Sequence, residues 1–157
     1  MTNFKVQNQC TPTRSAIHMT SIGIGDDQGY VVGHRSVAFF GSELPFPFDL
    51  LDSSVELPGA PAATSQAIAL LDNKDIPLRF ATTSGFAGCY DGFVTELARE
   101  WLNTLSQDQL GRIMLYACGP EPMLEAMTPL ARAFGLRCRV LRGLRRRSAD
   151  GRRNRDE

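Results

Sequence analysis

The sequence predicts an α/β fold built on a mainly parallel sheet flanked by helices. Compact apolar runs at 37–40, 113–117 and 136–141 have the length and composition of buried strands. Two segments with helical periodicity, 94–105 and 121–134, lie between and around them. Strands that alternate with helices along a chain generally form a parallel sheet.

The first half of the chain is less regular. Residues 1–35 are poorly patterned, and only 16–24 has the composition of a short strand. Helix-forming residues at 62–71 predict a helix that ends near Asn73. A strand should follow, in which Pro77 is tolerable only near the start or at an edge. The alternating apolar residues that predict this strand are Ile76, Leu78 and Phe80.

The segment 94–105 carries the strongest amphipathic pattern in the chain. Its apolar residues fall on one face at helical spacing: Val94, Leu97, Ala98, Trp101, Leu102 and Leu105. The helix at 121–134 has Gly135 as its expected C-terminal stop. Inside it, Pro129 removes one hydrogen bond and clashes with the preceding turn, at a cost of roughly 3 kcal/mol. We therefore expect a kink or an early end at Pro129.

The length of 157 residues suits one domain. Basic and acidic residues cancel overall, but 142–157 holds seven arginines against three acidic residues. The first 141 residues are thus mildly acidic, which argues against nucleic acid as a partner. A short charge run of this kind is typical of a disordered tail. The predicted organisation is a poorly patterned N-terminal segment at 1–35, an α/β domain at 36–141 and an Arg-rich tail at 142–157.

The cysteines give no sign of a local metal site. Cys10, Cys89, Cys118 and Cys138 stand far apart without a Cys-x-x-Cys pair, so the sequence predicts reduced thiols and no zinc or iron-sulfur loop. No apolar run approaches the roughly 18 residues needed to span a membrane, and no secretory leader is evident near Met1. The expected location is therefore the cytoplasm, with no membrane partner.

The junction between the strand at 113–117 and the helix at 121–134 has the features of a ligand site. Gly119 lacks a Cβ and lets a ligand approach the backbone, and Pro120 and Pro122 suit a first helical turn. The N-H groups of that turn are able to hold an anion or a cofactor's polar edge. Ligands of open parallel sheets bind outside the carboxyl ends of the strands, where 82–85 also lies. We expect the two loops to form one site.

The sequence of residues 115–124 resembles the last strand, loop and helix of the NAD-binding domain in ferredoxin-reductase-like flavoproteins. It reads Leu-Tyr-Ala-Cys-Gly-Pro-Glu-Pro-Met-Leu. The narrower resemblance is to electron-transfer subunits of NAD-linked dihydroorotate dehydrogenases. Residues 36–41 are similar to the second strand of that family. The segments 81–88 and 92–95 resemble its Thr-Asp-Asp-Gly-Ser and Gly-Phe-Val-Thr sequences, so that the resemblance covers about 34–140.

This resemblance implies a site for NAD. Cys118, as the catalytic residue, and Gly119 would lie near the nicotinamide or near the flavin that receives its hydride, while 82–85 would contact the dinucleotide. The implied cofactor-binding residues are Thr82, Thr83, Ser84, Gly85, Cys118, Gly119, Pro120, Glu121, Pro122 and Met123. The implied partner is a dihydroorotate dehydrogenase catalytic subunit of pyrimidine biosynthesis, or a similar flavoprotein.

Complete members of the family also carry FAD and a two-iron two-sulfur cluster, and the sequence lacks the elements that bind both. The flavin-binding barrel is absent, and no cysteine follows Arg142. The family's glycine-rich loop after the first strand has only a poor counterpart at 21–27, where Asp26 and Asp27 would repel a pyrophosphate. The chain would therefore supply the NAD-binding part, without activity of its own.

Several alternatives stay open at this stage. Cys118 is also consistent with a small buried residue at a strand end, or with a nucleophile, since helix N-termini favour thiolates. Met123 and Met127, four residues apart, are more typical of a core than of cofactor contacts. The chain as a whole is also consistent with a non-catalytic, partner-binding module of the same fold, or with a hydrogenase or sulfide dehydrogenase subunit. The sequence does not distinguish NAD from NADP.

Overall fold

The computed structural model describes residues 20–25, for which only the backbone is described, together with 36–43 and 45–141. The predicted Arg-rich tail at 142–157 and most of the N-terminal segment lie outside these residues. The strands are β1 (Thr20–Gly25), β2 (Ala38–Gly41), β3 (Leu51–Asp52), β4 (Gln66–Ala67), β5 (Leu78–Thr82), β6 (Tyr90–Asp91), β7 (Met114–Cys118) and β8 (Arg137–Leu141). The helices are α1 (Ala69–Asp72), α2 (Val94–Leu102), α3 (Gln107–Leu110) and α4 (Glu121–Ala133).

Six strands form one sheet in the order β6-β5-β2-β1-β7-β8, and β3 pairs with β4 in a separate ribbon. The pairs β2 with β5, β5 with β6 and β7 with β8 are parallel, whereas β1 is antiparallel to both of its neighbours. Five strands therefore point the same way and β1 alone runs against them. The predicted α/β class, with parallel strands flanked by helices, is confirmed.

The reversed strand β1 occupies the middle of the sheet. It comes from the segment that the sequence left poorly patterned, so the sheet begins before residue 36. Thr20 lies beside Gly41 and Ser21 beside Cys118, whereas Gly25 lies beside Met114, the first residue of β7. The N-terminal end of β1 is thus at the edge where β2 and β7 end. Its glycine-bearing C-terminal end is at the opposite edge.

Helices α2 and α4 cover one face of the sheet and form the main core with it. The amphipathic pattern predicted for α2 is confirmed, since Leu97 and Ala98 are almost fully buried. Trp101 packs on Phe39 of β2 with ring centroids 5.6 Å apart, and its indole N-H donates to the carbonyl of Pro58 at 3.1 Å. α2 ends at Leu102, and Leu105 packs against the core from beyond the helix.

A cluster of phenylalanines covers the other face of β2 and β5. The rings of Phe46 and Phe80 meet edge to face with centroids 4.6 Å apart, and Phe40 stacks on Phe80 at 5.9 Å. Because α2 and this cluster cover opposite faces, all five residues of β5 are buried. The alternation that predicted the strand therefore does not mark a solvent-exposed face.

Arg79 is the one charged residue in the buried strand β5. Its guanidinium donates to the carbonyls of Leu78 at 2.7 Å and Val55 at 2.9 Å, which ties the loop after β3 to the sheet. Its Nε has no hydrogen-bond partner. Burial lowers the pKa of Arg79, and the carboxylate of Asp72 opposes this effect.

The helix predicted at 62–71 is wrong over most of its length. The structure places strand β4 at 66–67 and only the short helix α1 at 69–72, followed by Asn73 at its C-terminal cap. The side-chain amide of Gln66 donates to Asp52 Oδ1 at 2.6 Å. Strand β4, which contains Gln66, pairs with β3. These partners are distant in sequence, and their pairing overrides the local helix propensity.

The expected early end of the last helix at Pro129 is also wrong. α4 continues to Ala133, and Gly135 follows with φ of +66°, the left-handed conformation typical of a helix stop. Pro129 faces solvent, while Leu130 and Ala131 after it are buried. Burial of a leucine side chain contributes about 1.5–3 kcal/mol, which is comparable with the roughly 3 kcal/mol cost of the proline.

Candidate functional site

A cavity of about 480 Å³ opens at the carboxyl ends of β2 and β5, under the N-terminal turns of α2 and α4. Four short stretches of chain form its walls. The lining residues are Gly41, Ser42, Glu43, Ala81, Thr82, Thr83, Gly92, Phe93, Val94, Thr95, Pro120, Pro122, Met123 and Ala126. In the strand order, β2 and β5 lie on one side of β1 and β7 lies on the other. The cavity is outside the carboxyl ends of these parallel strands, where open α/β sheets bind ligands.

Two small residues make the floor of the cavity. Gly41 ends β2, and a Cβ built there would lie 3.0 Å from the Cβ of Val94, closer than atoms normally pack. Ala81 is 1% exposed and belongs to the core beneath the helices. Because both side chains are minimal, α2 approaches the sheet closely and space remains beside its first turn.

The loop after β5 is held by its own hydrogen bonds. Ser84 N-H donates to Thr82 Oγ1 at 3.0 Å, and Ser84 Oγ donates to the carbonyl of Glu43 at 2.7 Å. The hydroxyls of Thr82 and Ser84 therefore fix this loop and the loop after β2 to one another. Thr83 is exposed and lines the cavity, so its hydroxyl is available to a ligand.

The N-terminal turn of α2 forms one side of the cavity. Gly92 donates its N-H to the carbonyl of Thr82 at 3.0 Å, which joins the turn to the end of β5. Phe93 N-H donates to Glu96 Oε2 at 2.8 Å. Phe93 lies in the cavity wall, and the residue is 58% exposed.

The predicted strand-loop-helix junction forms the other side. Pro120, Pro122 and Met123 line the cavity, as does Ala126 one turn further along α4. Met123 N-H and Leu124 N-H both donate to the carbonyl of Pro120 at 3.1 Å. Met127 is completely buried, in agreement with the prediction of a core residue, while Met123 is half-buried at the cavity.

Of the cofactor-binding residues that the resemblance implied, five line the cavity: Thr82, Thr83, Pro120, Pro122 and Met123. The other five are not among its lining residues: Ser84, Gly85, Cys118, Gly119 and Glu121. The structure therefore brings the two predicted loops to one cavity, and half of the predicted residues are outside its lining.

Cys118 is half-buried at the end of β7, next to Ser21 of β1 and Leu141 of β8. Leu115 and Ala117 pack into the core beneath α2 and α4. Side chains alternate along a strand, so Cys118 is directed to the face away from these helices. A ligand in the cavity would reach Cys118 only around the end of the strand.

Nine further lining residues were not predicted as site residues: Gly41, Ser42, Glu43, Ala81, Gly92, Phe93, Val94, Thr95 and Ala126. A signal for many of them was present, because 36–41 and 92–95 both belong to the segments that carry the family resemblance. Ser42, Glu43 and Ala126 lie outside those segments and had no such signal. They reach the cavity through the loop after β2 and the helical turn of α4.

Near the cavity, the pKa of the Tyr90 phenol is shifted far from its ordinary value. Its hydroxyl donates to Glu100 Oε1 at 2.6 Å, and this hydrogen bond, with burial and nearby carboxylates, raises the pKa of Tyr90 to about 12. Further away, burial raises the pKa of the Cys89 and Cys138 thiols. A raised pKa lowers the thiolate fraction at neutral pH, which argues against either cysteine as a nucleophile.

Over the described residues, no helix combines the length and apolar character needed to cross a membrane. The same part of the chain contains no group of three or more His, Cys, Asp or Glu side chains arranged to hold a metal ion.

Comparison of the chain with protein-family models, with curated proteins and with solved structures finds no match.

Proposed function

We propose that this protein is the NAD-binding part of an electron-transfer component in a flavin and iron-sulfur oxidoreductase. The observation that carries the proposal is the cavity at the carboxyl ends of β2 and β5, bounded by the predicted loops at 82–83 and 120–123. Ligand pockets in proteins commonly enclose about 300–1,000 Å³, and 480 Å³ is within that range. The resemblance to ferredoxin-reductase-like domains supplies the identity of the ligand.

The cavity wall fits one end of a dinucleotide better than the whole. Apolar groups from Ala81, Val94 and Met123 suit a planar ring, and the exposed Thr83 hydroxyl suits a ribose or carboxamide. A bound nicotinamide would supply hydride transfer. The chain's own part would be to bind the ring, orient it and exclude water from one of its faces.

The pyrophosphate fits less well. In dinucleotide-binding folds it rests on a glycine-rich turn after the first strand, at the carboxyl edge of the sheet. Here Gly23 and Gly25 lie within β1, and the strand is reversed, so Gly25 lies at the far edge beside Met114. The residues 20–25 therefore form a sheet strand in place of a phosphate loop.

FAD and a two-iron two-sulfur cluster belong to this proposal as groups of the complete assembly. The described residues offer neither a flavin-binding barrel nor a cysteine cluster for them. In the proposed assembly, a dihydroorotate dehydrogenase catalytic subunit or a similar flavoprotein would accept the electrons. A hydrogenase or sulfide dehydrogenase partner is the alternative within the same superfamily.

The first test is thermal unfolding of the purified chain with and without NADH. A ligand at about 100 times its dissociation constant stabilises the fold by roughly 2.7 kcal/mol, which is readily detected. We expect the midpoint to rise with NADH concentration. A cooperative transition that is indifferent to both NAD⁺ and NADH would contradict the proposal.

A matched pair of variants assigns the binding to the cavity. Ala126 and Ala133 are both exposed on α4, but only Ala126 lines the cavity. Ala126→Trp should fill the cavity and abolish the stabilisation by NADH, whereas Ala133→Trp should leave it unchanged. Equal responses of the two variants would place the binding site elsewhere.

The reversed β1 favours a second candidate function, a partner-binding module that keeps the fold without binding a dinucleotide. On this hypothesis, unfolding is cooperative and independent of nicotinamide ligands. A pull-down in which the intact chain retains a flavoprotein subunit, together with cooperative unfolding that is indifferent to NAD⁺ and NADH, would support this second function over the first.

A further inference from the structure

We infer that the cavity selects its ligand by charge: it takes a cationic or neutral aromatic ring and leaves phosphate groups outside. The identification of that ring as nicotinamide rests on the proposed function, while the selectivity follows from the walls themselves. The two helix N-termini, the carboxylate at the rim and the exposed phenyl ring all contribute.

A carboxylate of the chain lies at the N-terminus of α2. Unpaired N-H groups of a first helical turn normally attract anions. Here Phe93 N-H donates to Glu96 Oε2 at 2.8 Å, and Glu96 N-H donates to the carbonyl of Phe93 at 3.0 Å. A phosphate entering this turn would lie next to the negative charge of Glu96.

The N-terminus of α4 has few N-H groups to offer. Pro120 and Pro122 have none, and Met123 and Leu124 direct theirs to the carbonyl of Pro120. Glu121 adds an acidic side chain to the same turn. The first turn of α4 therefore offers few N-H donors to a phosphate, and at α2 the Glu96 carboxylate opposes one.

The rim of the cavity carries a carboxylate. Glu43 is exposed, and the Ser84 hydroxyl holds its backbone carbonyl at 2.7 Å. Among the lining residues that the structure describes, Glu43 is the one with a charged side chain. It would attract a cation at the mouth of the cavity and repel an anion.

Phe93 offers a face on which a ring can stack. The residue lines the cavity and is 58% exposed. Aromatic rings attract other rings in offset or edge-to-face geometry, and they attract cations through the negative face of the π-system. The oxidised nicotinamide ring is positively charged and the reduced ring is neutral, so Glu43 and Phe93 together favour the oxidised form.

Calorimetric titration of the full chain with four probes tests this selectivity. The probes are the N-methylnicotinamide cation, nicotinate, nicotinamide riboside and nicotinamide mononucleotide, each at low and at high salt. We expect the cation to bind more tightly than nicotinate. We also expect the riboside to bind at least as tightly as the mononucleotide, with an affinity that does not fall steeply with salt.

Two variants test the residues. Removal of an exposed charge typically changes an interaction about two- to fivefold, and we expect Glu43→Gln to weaken riboside binding by that amount. Phe93→Leu keeps an apolar side chain but loses the ring, and should weaken the riboside and the N-methylnicotinamide cation together. Glu125→Gln, an exposed site on α4 outside the cavity, is the matched control and should change neither.

The outcomes separate this inference from the proposed function. A mononucleotide that binds about tenfold more tightly than the riboside, with strong salt dependence, would overturn the charge selectivity and leave NAD binding intact. Binding of the N-methylnicotinamide cation without binding of NAD⁺ would support the selectivity and contradict the proposed function. Failure of all four probes and of NAD⁺ would overturn both.

Discussion

A pair of Gly→Ala substitutions tests the close packing of α2 against β2 beside the cavity. In Gly41→Ala, the new methyl group would lie 3.0 Å from Val94 Cβ and 3.3 Å from Val94 Cγ1. The Cβ of Val94 is fixed to the first turn of α2 and is not able to rotate away, so the helix end must shift. Overpacking of this kind costs about 1–3 kcal/mol, against a gain of about 0.4–1 kcal/mol from the less flexible unfolded chain. We expect a net loss of about 1–2 kcal/mol.

Gly111 is the matched control. It caps α3 with φ of −61°, and a Cβ there would meet nothing closer than the carbonyl oxygen of Gln107 at 3.5 Å. Gly111→Ala should therefore stabilise the protein by about 0.4–1 kcal/mol. The two identical substitutions are expected to have opposite signs.

Urea unfolding followed by the fluorescence of the single tryptophan measures both variants. A difference of about 2 kcal/mol corresponds to about 4–8 °C between their thermal midpoints for a chain of this size. Unchanged m-values are needed to attribute the difference to the folded state. A Gly41→Ala variant as stable as Gly111→Ala would refute the close contact between β2 and α2.

Three further predictions concern the core, a tyrosine and a cysteine. Leu97 is fully buried, so Leu97→Ala should cost about 2–5 kcal/mol in urea unfolding, and a loss below about 1 kcal/mol would contradict its place in the core. The phenol of Tyr90 should titrate near pH 12 by absorbance, and Glu100→Gln should lower its pKa toward 10.0, the ordinary value. Because the folded-state pKa is raised, the bond from Tyr90 to Glu100 stabilises the fold fully below pH 10.0, and this contribution is lost as pH rises to about 12; an unchanged titration in the variant would refute it. Cys89 is buried with a raised pKa, so peptide mass spectrometry should find its alkylation at least about tenfold slower in the native protein than in urea, and equal rates would contradict its burial.

The elements predicted correctly are those whose pattern is local. α2 buries the residues that fall on one face at helical spacing, and α4 begins at Glu121 and stops before Gly135. β7 and β8 lie within one residue of the predicted runs. In each case a run of neighbouring residues carries the periodicity or the stop signal, so no distant partner is needed to interpret it.

The errors have a common cause in distant partners. Residues 62–71 have helical composition, but Gln66 meets Asp52 and the chain there pairs as a strand. Pro129 is tolerated because residues after it are buried against the sheet. In both cases tertiary contacts exceed the local preference by an amount that no window of sequence contains.

The sequence by itself determined the α/β class, the two long helices and the two loops that meet at the cavity, because each has its own periodicity, glycine or proline signal. Only the tertiary structure decided the direction of β1, since strand direction depends on which neighbours the strand pairs with. It also decided that Glu43, Phe93 and Ala126 share a wall with Thr83 and Met123, and that Cys118 is directed away from it. These juxtapositions arise from packing between residues far apart in the chain.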